Sequence, residues 1–212
     1  MDETTLTRLN DYVTNLFVHE DEALRSIQGE AERAGLPNIS IEPFEGRLLQ
    51  FLVMSVGAKK AVEIGTLAGY SGVWIARALP ADGKLYTLEK SSKHADVARQ
   101  TFARAGIASK VELLQGDAHD LLAKLSARAP FDFVFIDADK GSYSKYLAWA
   151  VDNLRSGGMV AAHNAFRGGR IVAPEDDDDR LIDSFNRALA ADKRLESTIL
   201  AIGDGMAVGI KK

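Results

Sequence analysis

Between residue 3 and about residue 57, apolar positions recur at three- and four-residue spacing, with no alternating run among them. Leu6, Leu9, Tyr12, Val13, Leu16 and Phe17 form one helical stripe. A second helix is predicted over about 21–34, stopped by Gly35 with Pro37 beyond. A third covers about 43–56, with Phe44, Leu48, Leu49, Phe51, Leu52 and Val56 as its apolar face. From Lys60 the pattern switches to short apolar runs alternating with helical stretches. Strands are predicted at about 61–64, 84–89, 110–115, 131–136, 159–162, 195–201 and 206–211. Helices fall at about 71–79, 93–105, 118–128, 142–154 and 178–191. The run 131–136 is almost wholly apolar, as a parallel strand buried on both faces requires. Gly203-Asp204-Gly205 allows a hairpin between the last two strands, so one strand runs antiparallel. This pattern predicts an α/β fold: a doubly wound, mostly parallel seven-stranded sheet with a helical N-terminal extension. All 212 residues are expected in one domain, 1–57 as the extension and 58–212 as the α/β core. Ligands of such sheets lie beyond the carboxyl ends of the strands, at the point where strand order reverses.

Composition narrows the chemistry. Twenty-six basic and thirty acidic residues leave a net charge of −4, which offers no excess to neutralise phosphates, so no nucleic-acid partner is expected. With no cysteine, disulfides, thiolate nucleophiles and Cys-ligated metals are excluded. The four histidines are His19, His94, His119 and His163. No apolar run approaches the ~18 residues of a membrane span. The start, Met1 to Leu6, is acidic and polar. A soluble cytoplasmic protein without membrane partners is the expectation.

The first strand ends in Glu63-Ile64-Gly65-Thr66-Leu67-Ala68-Gly69-Tyr70-Ser71-Gly72. Glycines there let backbone approach a ligand closely. The spacing is G-x-x-x-G-x-x-G, not the G-x-G-x-x-G of a pyrophosphate site, which argues against the alternative of a nicotinamide-dependent oxidoreductase. The next strand ends at Glu89, whose carboxylate suits two ribose hydroxyls, and the third at Gly116-Asp117-Ala118, where an adenine edge can be met. Taken singly, Glu89 reads as a solvated strand end and Asp117 as a helix cap. Together, after a glycine loop, they point to a nucleoside.

These segments, with 131–136 followed by Asp137-Ala138-Asp139-Lys140, resemble the class I S-adenosylmethionine-dependent O-methyltransferases. The likeness is to the caffeoyl-CoA/catechol O-methyltransferase-like family in its small bacterial branch. The resemblance implies a Rossmann-like methyltransferase fold and methylation of a hydroxyl on a small aromatic acceptor, catechol-like or phenylpropanoid-like. It also implies a homodimer. The cofactor, S-adenosylmethionine, would contact Glu63, Gly65, Tyr70, Ser71, Glu89, Asp117, Ala118 and Asp137.

In that family a divalent cation bridges the acceptor hydroxyls, held by an aspartate after the fourth strand and an Asp-Asn pair after the fifth. Asp137 and Asn164 match, but His163 stands where the second aspartate belongs. Two readings follow. Asp137, His163 and Asn164 hold Mg²⁺ or a borderline metal such as Mn²⁺ or Zn²⁺ that accepts imidazole. Alternatively, metal binding is weakened or lost, His163 serves as a base or is structural, and in the extreme the chain is a non-catalytic nucleoside binder. Lys140 matches the family's general base, so Lys140 and His163 are the candidate catalytic residues. Tyr143, Tyr146 and Trp149, spaced by three on one helix, are expected in core or dimer contacts. Phe166 and Arg167 could touch an acceptor. The acidic run from Glu175 to Asp179 is expected to be a solvated cap on the next helix. Arg170 has no evident role.

Overall fold

The computed structural model describes residues 3–212; Met1 and Asp2, the first residues of the polar start, lie outside the described residues. Three helices come first: α1 (Glu3–Phe17), α2 (Glu22–Arg33) and α3 (Pro43–Ser55). The Asp21 side chain caps α2 by accepting from the Leu24 N–H, an interaction whose loss costs about 0.5–2 kcal/mol. Pro43 opens α3, where a missing N–H does no harm, and Glu42 and Glu45 close a reciprocal cap.

The α/β core then runs β1 (Lys60–Ile64), α4 (Tyr70–Ala78), β2 (Lys84–Glu89), α5 (Ser92–Arg104), β3 (Val111–Gln115), α6 (Ala118–Leu125), β4 (Phe131–Ile136), α7 (Tyr143–Asn153), β5 (Leu154–Ala162), α8 (Asp177–Ala191), β6 (Leu195–Leu200) and β7 (Met206–Lys211). The seven strands lie in the order β3-β2-β1-β4-β5-β7-β6, and β7 runs antiparallel to both its neighbours. Helices cover both faces. Leu49 and Val53 of α3 and Val73 and Ile75 of α4 pack one side; Tyr143, Leu147 and Val151 of α7 and Ile182 and Phe185 of α8 pack the other. No helix among the described residues is long and apolar enough to cross a membrane.

Two expectations were not met. The strand expected at 159–162 begins at Leu154, and Gly157-Gly158 lies within it as an irregularity in the β4–β5 register. The apolar stripe of α1 does not sink into the core: Leu9, Tyr12, Leu16 and Phe17 are exposed, as is Phe51 of α3.

Candidate active site

The strand order reverses at β1 and β4, and three backbone bonds carry the ladder one residue past the strands. Gly65 N–H donates to Leu88, Asp137 N–H to Ile64, and His163 N–H to Ile136. Gly65, Asp137 and His163 therefore stand in a row on the carboxyl edge, although far apart in sequence. Gly65 has φ +95°, and a Cβ there would collide with the Asp137 carbonyl oxygen, so this position needs glycine.

A cleft of about 850 Å³ opens above this edge. Of the predicted cofactor residues, Gly65, Tyr70, Ser71, Glu89, Asp117, Ala118 and Asp137 line it. Glu63 does not line it. Its fully buried carboxylate lies beneath the glycine loop and accepts from the Ser71 and Thr87 hydroxyls at 2.6 Å each. Burial, with Asp137 and Glu89 nearby, outweighs those two bonds and pushes its carboxyl up to about 7. Glu63 thus supports the loop from below through Ser71 and Thr87.

Glu89 both faces the cleft and fixes the loop. It accepts from Thr66 N–H (3.2 Å) and Leu67 N–H (2.9 Å) through one oxygen and from Ser91 N–H (2.9 Å) through the other. Tyr70 donates to Glu20 at 2.6 Å, and Arg77 pairs with Asp21 at 2.6 Å. These two bonds tie the α1–α2 connection onto the cofactor loop. Several cleft residues carried no chemical signal in the sequence. Ile39, Ser40 and Ile41 reach in from the extension, and His119 stacks on Tyr146 with ring centres 5.2 Å apart. His94 lines the cleft beside Glu89, its Nδ1 3.4 Å from the carboxylate.

At the far end Lys140 sits in a polar cage. Its ammonium donates to Asn164 Oδ1 (2.6 Å), Tyr143 Oη (2.7 Å) and Asp137 Oδ1 (3.3 Å). Asn164 takes a positive φ of 63°, which asparagine tolerates, and its amide donates to Asp204 at 3.0 Å. Tyr143 and Tyr146 are core residues as expected, yet both also serve the site: Tyr146 donates to Asp139 at 2.8 Å.

His163 is buried between two carboxylates. Nε2 lies 3.0 Å from Glu45 Oε1 and Nδ1 lies 3.6 Å from Asp137 Oδ2. Burial opposes charge on the ring, but the two carboxylates outweigh it and push the imidazole up to about 10. Burial likewise opposes ionisation of Asp137, yet His163 and Lys140 hold that carboxyl below its usual range. Glu45 was missed in the sequence. It is 2% exposed and also accepts from Glu42 N–H (2.8 Å) and Asp204 N–H (3.3 Å). A second cavity, about 580 Å³, lies beyond, lined by Thr7, Asn10 and Asp11 of α1 together with Phe44, Glu45, His163 and Asn164. Asn164 borders both spaces.

A hard divalent cation seeks six or more oxygen donors. Here the Asp137 oxygens face Lys140 and His163, Asn164 Oδ1 accepts from Lys140, and each imidazole nitrogen faces a carboxylate. The predicted trio Asp137, His163 and Asn164 does not fit a resident dication, because Lys140 engages Asp137 and Asn164 and carboxylates face the imidazole. Among the described residues no group of three or more His, Cys, Asp or Glu is placed to hold a metal ion.

Phe166 and Arg167 follow in a short 3-10 segment, Arg167–Val172. Arg167 Nε and Arg170 Nε both donate to Asp179, at 2.9 and 3.0 Å. Asp179 is fully shielded from solvent, so the acidic run is only partly the solvated cap expected of it. Asp176 does cap α8, while Asp179 moors the loop. Arg167 and Asp178 both border the cleft.

A glycine loop, an acid closing the second strand and an edge cleft thus lie together at the point where the strand order reverses. A profile of the O-methyltransferase family matches residues 14–212. The chain is 39% identical to a catechol O-methyltransferase of Niastella koreensis over 221 residues, covering 100% of both. Its structure superposes with TM-score 0.92 on an O-methyltransferase of Bacillus cereus in complex with SAH, at 35% identity and 99% coverage of both chains. It superposes with TM-score 0.91 on TomG of Streptomyces achromogenes in complex with SAM, an O-methyltransferase involved in tomaymycin synthesis, at 32% identity, covering 100% of this chain and 99% of that one. The chain belongs to the O-methyltransferase family. The nicotinamide and non-catalytic readings find no support in these likenesses.

Proposed function

We propose that the protein transfers the methyl group of S-adenosylmethionine to a hydroxyl of a small aromatic acceptor, catechol-like or phenylpropanoid-like. The observation that carries this reading is the pair of spaces meeting at Asn164: a nucleoside-sized cleft on one side and a smaller, mostly polar cavity with Phe44 on its wall on the other. The likeness to a catechol O-methyltransferase and to SAM- and SAH-bound structures supports it. The nucleoside lies along Gly65, Glu89, Asp117 and Ala118, and the sulfonium methyl faces Asp137 and Lys140. The acceptor hydroxyl gives its proton to solvent beside the Lys140 ammonium, which then faces the oxyanion. The oxygen then attacks the methyl carbon, the carbon–sulfur bond breaks, and S-adenosylhomocysteine leaves as a neutral thioether. Holding donor and acceptor in line supplies most of the acceleration. His163, charged and buried, stabilises the oxyanion.

Calorimetry with S-adenosylhomocysteine, followed by methyl transfer from labelled S-adenosylmethionine to a panel of catechols, tests the reading. Saturable binding and labelled product are expected, and Lys140→Met should lower turnover by roughly 10²–10⁴-fold. Absence of any binding heat would remove the proposal. We also propose a homodimer, supported by the exposed apolar residues of α1 and α3.

A further inference from the structure

We infer that Lys140 and His163 together take the place of a divalent cation, so that methyl transfer here is independent of metal. This rests on the methyltransferase reading above and departs from what the family resemblance implied for this position.

The first argument is charge. An aspartate at position 163 would bring one negative charge; an imidazolium brings one positive. The difference is two units, the charge that a divalent ion supplies. The second is geometry. Each ring nitrogen of His163 faces a carboxylate oxygen, Glu45 at 3.0 Å and Asp137 at 3.6 Å. Nε2 is thus engaged by Glu45, and the carboxylate nearest Nδ1 is itself engaged by Lys140.

The third argument is rigidity. Glu45 cannot turn aside to release the ring. Its Oε2 closes the α3 cap with Glu42 N–H, and its Oε1 also accepts from Asp204 N–H. The turn wraps it so closely that a Cβ at Gly203, with φ +54°, would collide with the carboxylate. Lys140 completes the arrangement. Its ammonium spends all three donors on Asn164, Tyr143 and Asp137, where metal-facing oxygens would otherwise lie. The longest of these bonds, to Asp137, is the one an acceptor oxygen can displace. Glu45 is then a positioning residue that holds the buried cation at the wall between cofactor and acceptor.

The test uses purified full-length protein. Elemental analysis, and calorimetric titration with MgCl₂, MnCl₂ and ZnCl₂ in the presence of S-adenosylhomocysteine, should show no stoichiometric metal. Nitrogen NMR of the His163 ring should show two protonated nitrogens, with or without Mg²⁺. Turnover of whichever catechol is accepted should be unchanged by EDTA, and His163→Asn should lower kcat by about a hundredfold whether or not Mg²⁺ is present. His163→Asp should gain Mg²⁺ binding in the same titration. One equivalent of divalent ion bound by the wild type, a bare ring nitrogen, or turnover lost on chelation would each overturn the inference. Failure of S-adenosylhomocysteine to bind would strike the methyltransferase reading instead, while the metal titration and NMR would still decide this one.

Discussion

Glu63 is held beneath the cofactor loop by two hydroxyl donors, Ser71 and Thr87, while burial keeps its carboxyl near 7. Its folded pKa lies above its ordinary 4.5, so its stabilising contribution is full below that value and is lost as pH rises through about 7. Glu63→Gln mimics the protonated form at every pH. Thermal unfolding of both proteins from pH 5 to 8 should show the variant gaining on the wild type by up to about 3 kcal/mol. Parallel curves would show that Glu63 is ionised throughout. The sequence placed Glu63 in the loop motif but could not show its bonds to Ser71 and Thr87, because a strand's alternation does not say how the chain turns after its last residue. His163 was legible as a departure from a pattern. Glu45 was legible in a weaker way: with Leu48, Leu49 and Leu52 it falls at i, i+3, i+4 and i+7, a charge on a buried stripe. Such a charge calls for a partner, but the partner stands 118 residues away and only the folded sheet identifies it.

At the scale of elements, the Arg167–Val172 segment shows what local patterning leaves out. Its Gly168 and Gly169 sit at φ +62° and +89°, and no apolar period marks it. What fixes it is long-range: Arg167 and Arg170 on Asp179, and Gly168 N–H on Asp204 at 2.5 Å. Hydrogen bonds from Arg170, then Arg167, hold the Asp179 carboxyl well below the usual carboxylate range. Asp179→Ala leaves two guanidinium groups unmatched beside the cleft, and hydrogen exchange across residues 165–175 should accelerate. Affinity for S-adenosylhomocysteine should fall, since Arg167 and Asp178 border the cleft proposed to hold it. Asp179→Asn, which keeps an oxygen acceptor, should restore part of the loss. Unchanged exchange in the alanine variant would mean that the loop is held by its glycine turn alone. Several regular elements, by contrast, were legible almost to the residue. The strands Lys84–Glu89 and Phe131–Ile136 match their predicted spans, because buried parallel strands concentrate apolar residues and turns punctuate them.

At the scale of the whole molecule, the doubly wound class follows from alternation and right-handed crossovers, and with it the position of the cleft beyond the carboxyl ends of the strands. What alternation could not say is where the apolar side of α1 goes. Thr7, Asn10 and Asp11 face the second cavity, while Leu9, Tyr12 and Leu16, at i, i+3 and i+7, lie exposed. Alpha-1 packs on α3, whose Phe51 and Met54 are 65% and 60% exposed. A helix that lines the second cavity on one side and shows leucine and tyrosine to water on the other has little cover in a lone chain, and the proposed pairing with a second copy would supply it. Light scattering should then give twice the 23.0 kDa chain mass. Replacing Tyr12 and Phe51 together by glutamate should return the mass to that of one chain. Neither residue lines the cofactor cleft, so S-adenosylhomocysteine affinity should survive in the variant. The acceptor KM should rise, because α1 loses its outer support and takes one wall of the acceptor cavity with it. A wild-type protein that scatters as a single chain at micromolar concentration would refute the pairing, and would leave the acceptor cavity to depend on the Glu20–Tyr70 and Asp21–Arg77 ties alone.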